Sequence, residues 1–268
     1  MRIREKKLLI LALGIVAASL VAIGRLAGRE PGGETYYMVV YGAQTDGFSP
    51  NTSHCFASFA RFVHGTRAEP VVELRHINWY SVRGHMTGST RGLIEEDGRP
   101  VRPEPGQNRT TRDALLLAAR GGLRVTRWGP YEIDRGLYER ALRQIARLER
   151  RMPGPPVLYK ELDRGYREEQ IVATNCIHAI SDVDRDGGPL RSGTDYGERA
   201  ARRVVVHLAR WIKHSGRDHS EVWAHIWRET WRPDPAPEPR RVLEGVPREI
   251  DAGAWAGNPR PGIPGGGP

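Results

Sequence analysis

Along the chain the apolar positions recur with two periods, first strand-like and then helical. Thr35–Tyr41 (TYYMVVY) is aromatic and β-branched almost throughout, which suits a buried strand. His54–Val63 (HCFASFARFV) and Val71–Trp79 (VVELRHINW) read as second and third strands, and Leu123–Ile133 (LRVTRWGPYEI) as a later extended segment. Gly42–Ser53 is a loop by composition, Gly84–Arg112 is predicted as a long loop or insertion, and Ala114–Ala119 as a short helix stopped by Gly121-Gly122. Helical spacing then takes over. Leu137, Ala141, Ile145 and Leu148 share one face of Arg135–Arg151, with Asp134 placed as its N-cap. Met152-Pro153-Gly154-Pro155-Pro156 ends that helix, and Val157–Leu162 can form another strand. Cys176–Ser181 is expected to open a helix capped by Thr174 or Asn175. Glu198–Lys213 turns Ala201, Val204, Val205, Leu208 and Trp211-Ile212 inward, and Ser220–Trp231 carries tryptophans at 223, 227 and 231 on one side, a stripe suited to packing. There is no internal repeat. The pattern predicts a single α+β domain over residues 35–231, a small antiparallel sheet with packed helices.

The two ends have a different character. Residues 1–7 are a basic region expected to stay cytoplasmic, and Leu8–Gly24 carries no charge. At 1.5 Å per residue this run makes about 26 Å of helix, just short of the roughly 30 Å hydrocarbon core. It reaches Gly28 if the stem of Arg25 snorkels to the interface. Residues 8–28 therefore read as one transmembrane signal anchor, with a cleaved signal peptide as the alternative, and residues 29–34 as a linker. Either reading exports the remainder, to a periplasmic or extracellular location. From Arg232 to residue 268 prolines and glycines dominate, as in a disordered tail.

Composition narrows the function classes. A mean hydropathy of −0.53 excludes a polytopic membrane protein. The formal net charge of +9 invites a nucleic-acid reading, but Arg2, Arg4, Lys6 and Lys7 against Glu5 already supply three of it ahead of the apolar run. The rest is spread among acids over the whole chain, so no nucleic-acid partner is expected. Only two cysteines, Cys55 and Cys176, exclude a disulfide scaffold and all-cysteine zinc sites. In an exported domain they could pair with each other, or Cys176 could be kept as a reactive thiol.

The second choice has a chemical argument. In Asn175-Cys176-Ile177-His178-Ala179 the thiol would sit in the first turn of a helix, where unpaired N–H groups favour a thiolate and can hold an oxyanion. A nucleophilic thiol needs an imidazole base oriented by a third polar group. His54, in Ser53-His54-Cys55-Phe56-Ala57-Ser58-Phe59, and His76, in Leu74-Arg75-His76-Ile77-Asn78-Trp79, lie on adjacent predicted strands and suit those roles. Alternation along the strand should turn Cys55 away from the face of His54, which under this scheme argues against a Cys55–Cys176 disulfide. His178, two residues past the thiol, faces elsewhere on the helix. A zinc set of His54, His76, His178 and Cys176 is the competing chemistry, although HExxH and paired CxxC spacings are absent. Asp182-x-Asp184-x-Asp186-Gly187 matches half a calcium loop, but Gly193 stands where the bidentate glutamate belongs, so a polar turn is expected. Neither metal nor other cofactor is expected. Asn51-Thr52-Ser53 and Asn108-Arg109-Thr110 are glycosylation sequons of consequence only on a eukaryotic secretory route. G-x-S-x-G, P-loop and dinucleotide fingerprints are absent.

A histidine in an aromatic-rich strand, a second in the next strand and Asn-Cys-x-His at a helix start resemble the circularly permuted papain-like thiol enzymes. The nearest branch is the lecithin:retinol acyltransferase-like one, with NlpC-type peptidases as distant sharers of the fold. The resemblance covers roughly residues 35–185 and is most specific at 175–178, where Ile177 replaces an acidic residue; His54 and His76 are also further apart than is usual in that branch. Ser-His-x-Phe-Ala-x-Phe, Trp128-Gly129-Pro130-Tyr131-Glu132-Ile133 and Asn-Cys-Ile-His-Ala together also resemble uncharacterised bacterial membrane-anchored proteins. The resemblance implies Cys176 as nucleophile, His54 as base and His76 as the orienting residue. The expected activity is hydrolysis or transfer at an amide or ester bond through a thioester, with peptidoglycan or lipid as possible substrate. The alternative is a catalytically silent envelope protein of the same fold, binding or structural, acting through its tryptophan-rich last helix and Pro-rich tail.

Overall fold

The computed structural model describes residues 33–45, 53–65, 69–82, 103–160, 167–168, 171–190, 196–213 and 219–231. The predicted membrane segment 8–28 and the tail after 231 lie outside them. Among the described residues no helix is long and apolar enough to cross a membrane.

Among the described residues nine strands and five α-helices make a mixed α+β fold, as the periodicity predicted. The strands are β1 (Glu34–Gln44), β2 (His54–Val63), β3 (Val71–Ile77), β4 (Trp79–Ser81), β5 (Glu104–Asn108), β6 (Arg124–Ile133), β7 (Val157–Tyr159), β8 (Arg167–Glu168) and β9 (Ile171–Thr174). The helices are α1 (Thr111–Arg120), α2 (Arg135–Leu148), α3 (Cys176–Ser181), α4 (Gly197–His207) and α5 (Ser220–Trp231). By contact density the chain divides into a small unit around residues 33–35 and 62–71 and a larger one holding everything else. In the small unit Thr35 Oγ1 lies 2.9 Å from His64 Nε2, and the His64 N–H donates to the Gly33 carbonyl.

In the larger unit the main sheet has the order β3-β2-β1-β6. β1 and β6 are antiparallel, with Tyr36 opposite Ile133 and Tyr41 opposite Arg127. Contacts between β2 and β3 run in opposite senses, Ser58 meeting His76 while Arg61 meets Glu73, so this pair is antiparallel too. A second sheet has the order β4-β5-β7-β9-β8, in which β7 and β9 are parallel and the other pairs antiparallel. The expectation of one small antiparallel sheet is therefore corrected to two sheets with one parallel pair.

One strand of this second sheet, β5, lies in the segment read as loop. β5 (EPGQN) has no strand-like composition; it is extended because β4 and β7 flank it. Its Gly106 is required there: an added Cβ would come within 2.1 Å of the Trp79 indole.

Alternation along the strands gives the main sheet two unlike faces. Met38, Val40, Cys55, Ala57 and Phe59 belong to one core cluster together with Ile77, Trp79, Leu137 and Ile145 of α2, Ile177 and Ile180 of α3, and Val204 of α4. The opposite face carries Tyr41 stacked on Phe56 at 4.8 Å, with α1 and α5 over it. Arg127, level with Tyr41, reaches from β6 to place its guanidinium 4.0 Å from the Trp223 ring centroid in α5. The tryptophan stripe of α5 is thus packed by the protein's own cations, with Arg112 over Trp231 at 5.6 Å and successive indoles 5.3 and 5.4 Å apart.

Helix ends follow local chemistry only in part, and the N-cap residues of α2 and α4 make no side-chain cap bond. Thr110 and Asp113 form a capping box at α1. Asp134 stands at the N-cap of α2 but makes no cap hydrogen bond; its carboxylate lies 3.4 Å from Lys213 Nζ instead. The predicted helix 198–213 ends at His207, passes through a 3₁₀ turn at Ala209–Trp211, and lets Ile212 bridge to Ile133. Its first residue, Gly197, packs directly on Gly42 of β1, where a Cβ on Gly42 would meet the Gly197 carbonyl at 2.5 Å.

Candidate functional site

His54 is buried at the start of β2, with its Nε2 2.7 Å from Asn78 Oδ1. Asn78 fills the one-residue step between β3 and β4, and its Nδ2 donates to the Thr110 carbonyl at 3.0 Å. A carbonyl can only accept, which orients the amide and leaves Oδ1 toward the imidazole. An amide oxygen also only accepts, so the proton of neutral His54 is on Nε2 and Nδ1 carries the lone pair. Burial pushes the His54 pKa down to about 4, against a smaller opposing effect of the Asn78 bond. The ring is therefore neutral at physiological pH. A histidine held by an asparagine oxygen, with Nδ1 left as the basic nitrogen, is the arrangement a thiol enzyme needs of its base.

His76 does not orient His54. Its Nδ1 faces Thr111 Oγ1 at 3.0 Å and Ser58 Oγ at 3.5 Å, and those two hydroxyls are 2.7 Å apart. Burial, reinforced by Arg75, takes its pKa to about 4 as well. The orienting residue of His54 is Asn78, which the sequence reading did not select. Its signal was available: two residues after His76 in a strand, it shares that histidine's face.

Cys176 is the first residue of α3, and Asn175 caps this helix by accepting from the His178 N–H at 2.8 Å. The expected local context is thus present, and Cys176 is 8% exposed. Its location is the difficulty. Cys176 belongs to the core cluster with Cys55, Ala57, Phe59, Ile77 and Trp79. His54, Phe56, Ser58 and Asn78 alternate with those residues and make their contacts among themselves and with Tyr41, Tyr80 and Thr111. Cys176 is grouped with the residues that alternate with His54 and Asn78, not with the partners of the two imidazoles. The structure brings His54 and His76 to one face and sets Cys176 on the other, beside Cys55.

Cys55 is fully buried, and its thiol pKa is raised by burial first and by the neighbouring Cys176 second. Both cysteines are present as thiols. His178 Nε2 donates to the Leu190 carbonyl at 3.0 Å. Among the described residues no three His, Cys, Asp or Glu side chains converge to hold a metal ion.

The acidic run after α3 forms a 3₁₀ turn, Asp182–Gly187, in which each carboxylate meets an arginine: Asp182 with Arg185, Asp184 with Arg210 and Asp186 with Arg140. It closes the helix rather than cradling a cation. Asn108 of the second sequon uses its whole amide, accepting from the Asn78 N–H and donating to the His76 carbonyl and Glu149. No family model, no curated protein and no solved structure matches the chain.

Proposed function

We propose that this domain is a catalytically silent binding or structural module of the cell envelope, related to the permuted papain-like thiol enzymes but lacking their assembled site. Residues 8–28 hold it at the membrane and the domain is exported. Support for the kinship lies in the chain order: a histidine-bearing strand, a second strand ending in a polar partner, and a capped helix opening with cysteine. The single observation that carries the silent reading is the alternation on β2, with His54 on one face and Cys55 facing the cluster of Cys176 on the other. A thioester mechanism needs the sulfur and the imidazole Nδ1 in reach of one proton. Here the two belong to different groups of side chains, so neither hydrolysis nor acyl transfer at peptidoglycan or lipid is expected.

Alkylation tests this. In the folded, reduced full chain at neutral pH, Cys176 should react with iodoacetamide no faster than glutathione does. Reaction much faster than glutathione, lost in both Cys176→Ala and His54→Gln, would overturn the reading and restore the thiol enzyme.

A further inference from the structure

The same alternation that removes Cys176 from His54 delivers it to Cys55. The bond from His54 to Asn78 fixes positions 54 and 78 side by side on one face of the sheet. Their neighbours Cys55, Ile77 and Trp79 therefore meet on the other face, and α3 packs over β4 there, with Cys176 in its first turn. The two cysteines of the chain, more than a hundred residues apart in sequence, enter one buried cluster from a strand and from a helix start.

We propose that Cys55 and Cys176 form a disulfide that ties β2 to α3 in the mature protein. This rests on the silent reading of Cys176 and on an exported domain, because a disulfide persists in an oxidising compartment. The oxidant is a second disulfide, carried by a protein or a small thiol. Cys176, the more exposed of the two, loses its proton and attacks one sulfur of the oxidant, expelling a thiolate. Cys55 then gives up its proton and displaces the oxidant's remaining sulfur from the mixed disulfide. One S–S bond forms in the domain and one breaks in the oxidant, which leaves as two thiols carrying both electrons and both protons. Burial holds Cys55 in its thiol form once the core is packed, so the second step belongs to folding rather than to the finished domain.

The test is a thiol count. The full chain is refolded with oxidised and reduced glutathione, then denatured with iodoacetamide and without reductant, and weighed intact. The expected product carries no alkyl group and is two hydrogens lighter than the reduced chain. Cys55→Ser and Cys176→Ser should each leave one alkylatable or glutathionylated cysteine, and peptide mapping should join the peptides of residues 55 and 176. Two alkyl groups on the wild type overturn the proposal, as does glutathione retained on Cys176. If those two thiols react only after unfolding, the silent reading stands while the disulfide falls. If Cys176 reacts rapidly in the folded protein, both fall.

Discussion

His54 and Cys55 are consecutive in sequence and look in opposite directions: the imidazole bonds Asn78 on one face of the sheet, and the thiol joins the cluster of Cys176 on the other. One peptide unit of a strand thereby separates a base-like histidine from the cysteine it would have to activate.

Removing Asn78 tests how firmly that histidine is held. Asn78→Ala deletes the acceptor for His54 Nε2, leaving that buried N–H without a partner, and removes one of the two donors to the Thr110 carbonyl, which keeps the Ala114 N–H. A loss of about 2–3 kcal/mol in urea unfolding is expected. An unchanged midpoint would show that the pair contributes nothing.

Acid should weaken the fold through its buried histidines. His54 has a folded pKa near 4 against an unfolded value near 6.5, so the unfolded chain binds its proton first. The stability tied to keeping this ring neutral is whole above about pH 6.5 and is lost as pH falls toward 4, amounting to about 3 kcal/mol. His76 acts in the same direction over the same window. Urea midpoints from pH 7 to 4.5 read this loss, and His54→Gln should flatten the slope.

Gly106→Ala should disrupt the second sheet. The new methyl would enter the Trp79 ring, which is 1% exposed and cannot swing into solvent. Overpacking of this kind costs about 1–3 kcal/mol. A visible shift in tryptophan fluorescence should accompany the drop in thermal midpoint, whereas an unperturbed spectrum would refute the assigned contact.

Arg210→Ala strands Asp184, whose side chain is fully buried beside it. Because Arg210 itself is half-exposed, the penalty should fall between that of surface and interior pairs, at about 2 kcal/mol. Arg210→Ala combined with Asp184→Asn should recover part of it, and a double-mutant cycle measures the coupling.

Much of the framework was legible. The limits of β2 and α5 coincide with the predicted segments, and Asn175 caps α3 as expected. Local chemistry decides such features: an alternating aromatic strand, an i, i+4 stripe and an Asn before a helix. β5 was not legible, because Glu-Pro-Gly-Gln-Asn is extended only through its neighbours. The site divides along the same line. Strand alternation foretold that Cys55 and His54 point apart, a local property. Which face α3 covers is a tertiary choice that strand alternation does not decide. Asn78 shares the face of His76 by position alone, but what fixes its amide, the Thr110 carbonyl across from the end of β3, is a tertiary contact.

The seat of Gly197 on Gly42 has a consequence for any lineage that carries this chain. There the backbones of β1 and α4 touch with no side chain between them, and Gly197 itself has a φ of +54°. A methyl on Gly42 would meet the Gly197 carbonyl at 2.5 Å, and one on Gly197 would meet Oε1 of Gln44, two residues past Gly42, at 2.5 Å. The two glycines, so distant in sequence, should be inherited as a unit, and a search for remote kin would do better to require both than to look for the cysteine and histidine that first draw attention.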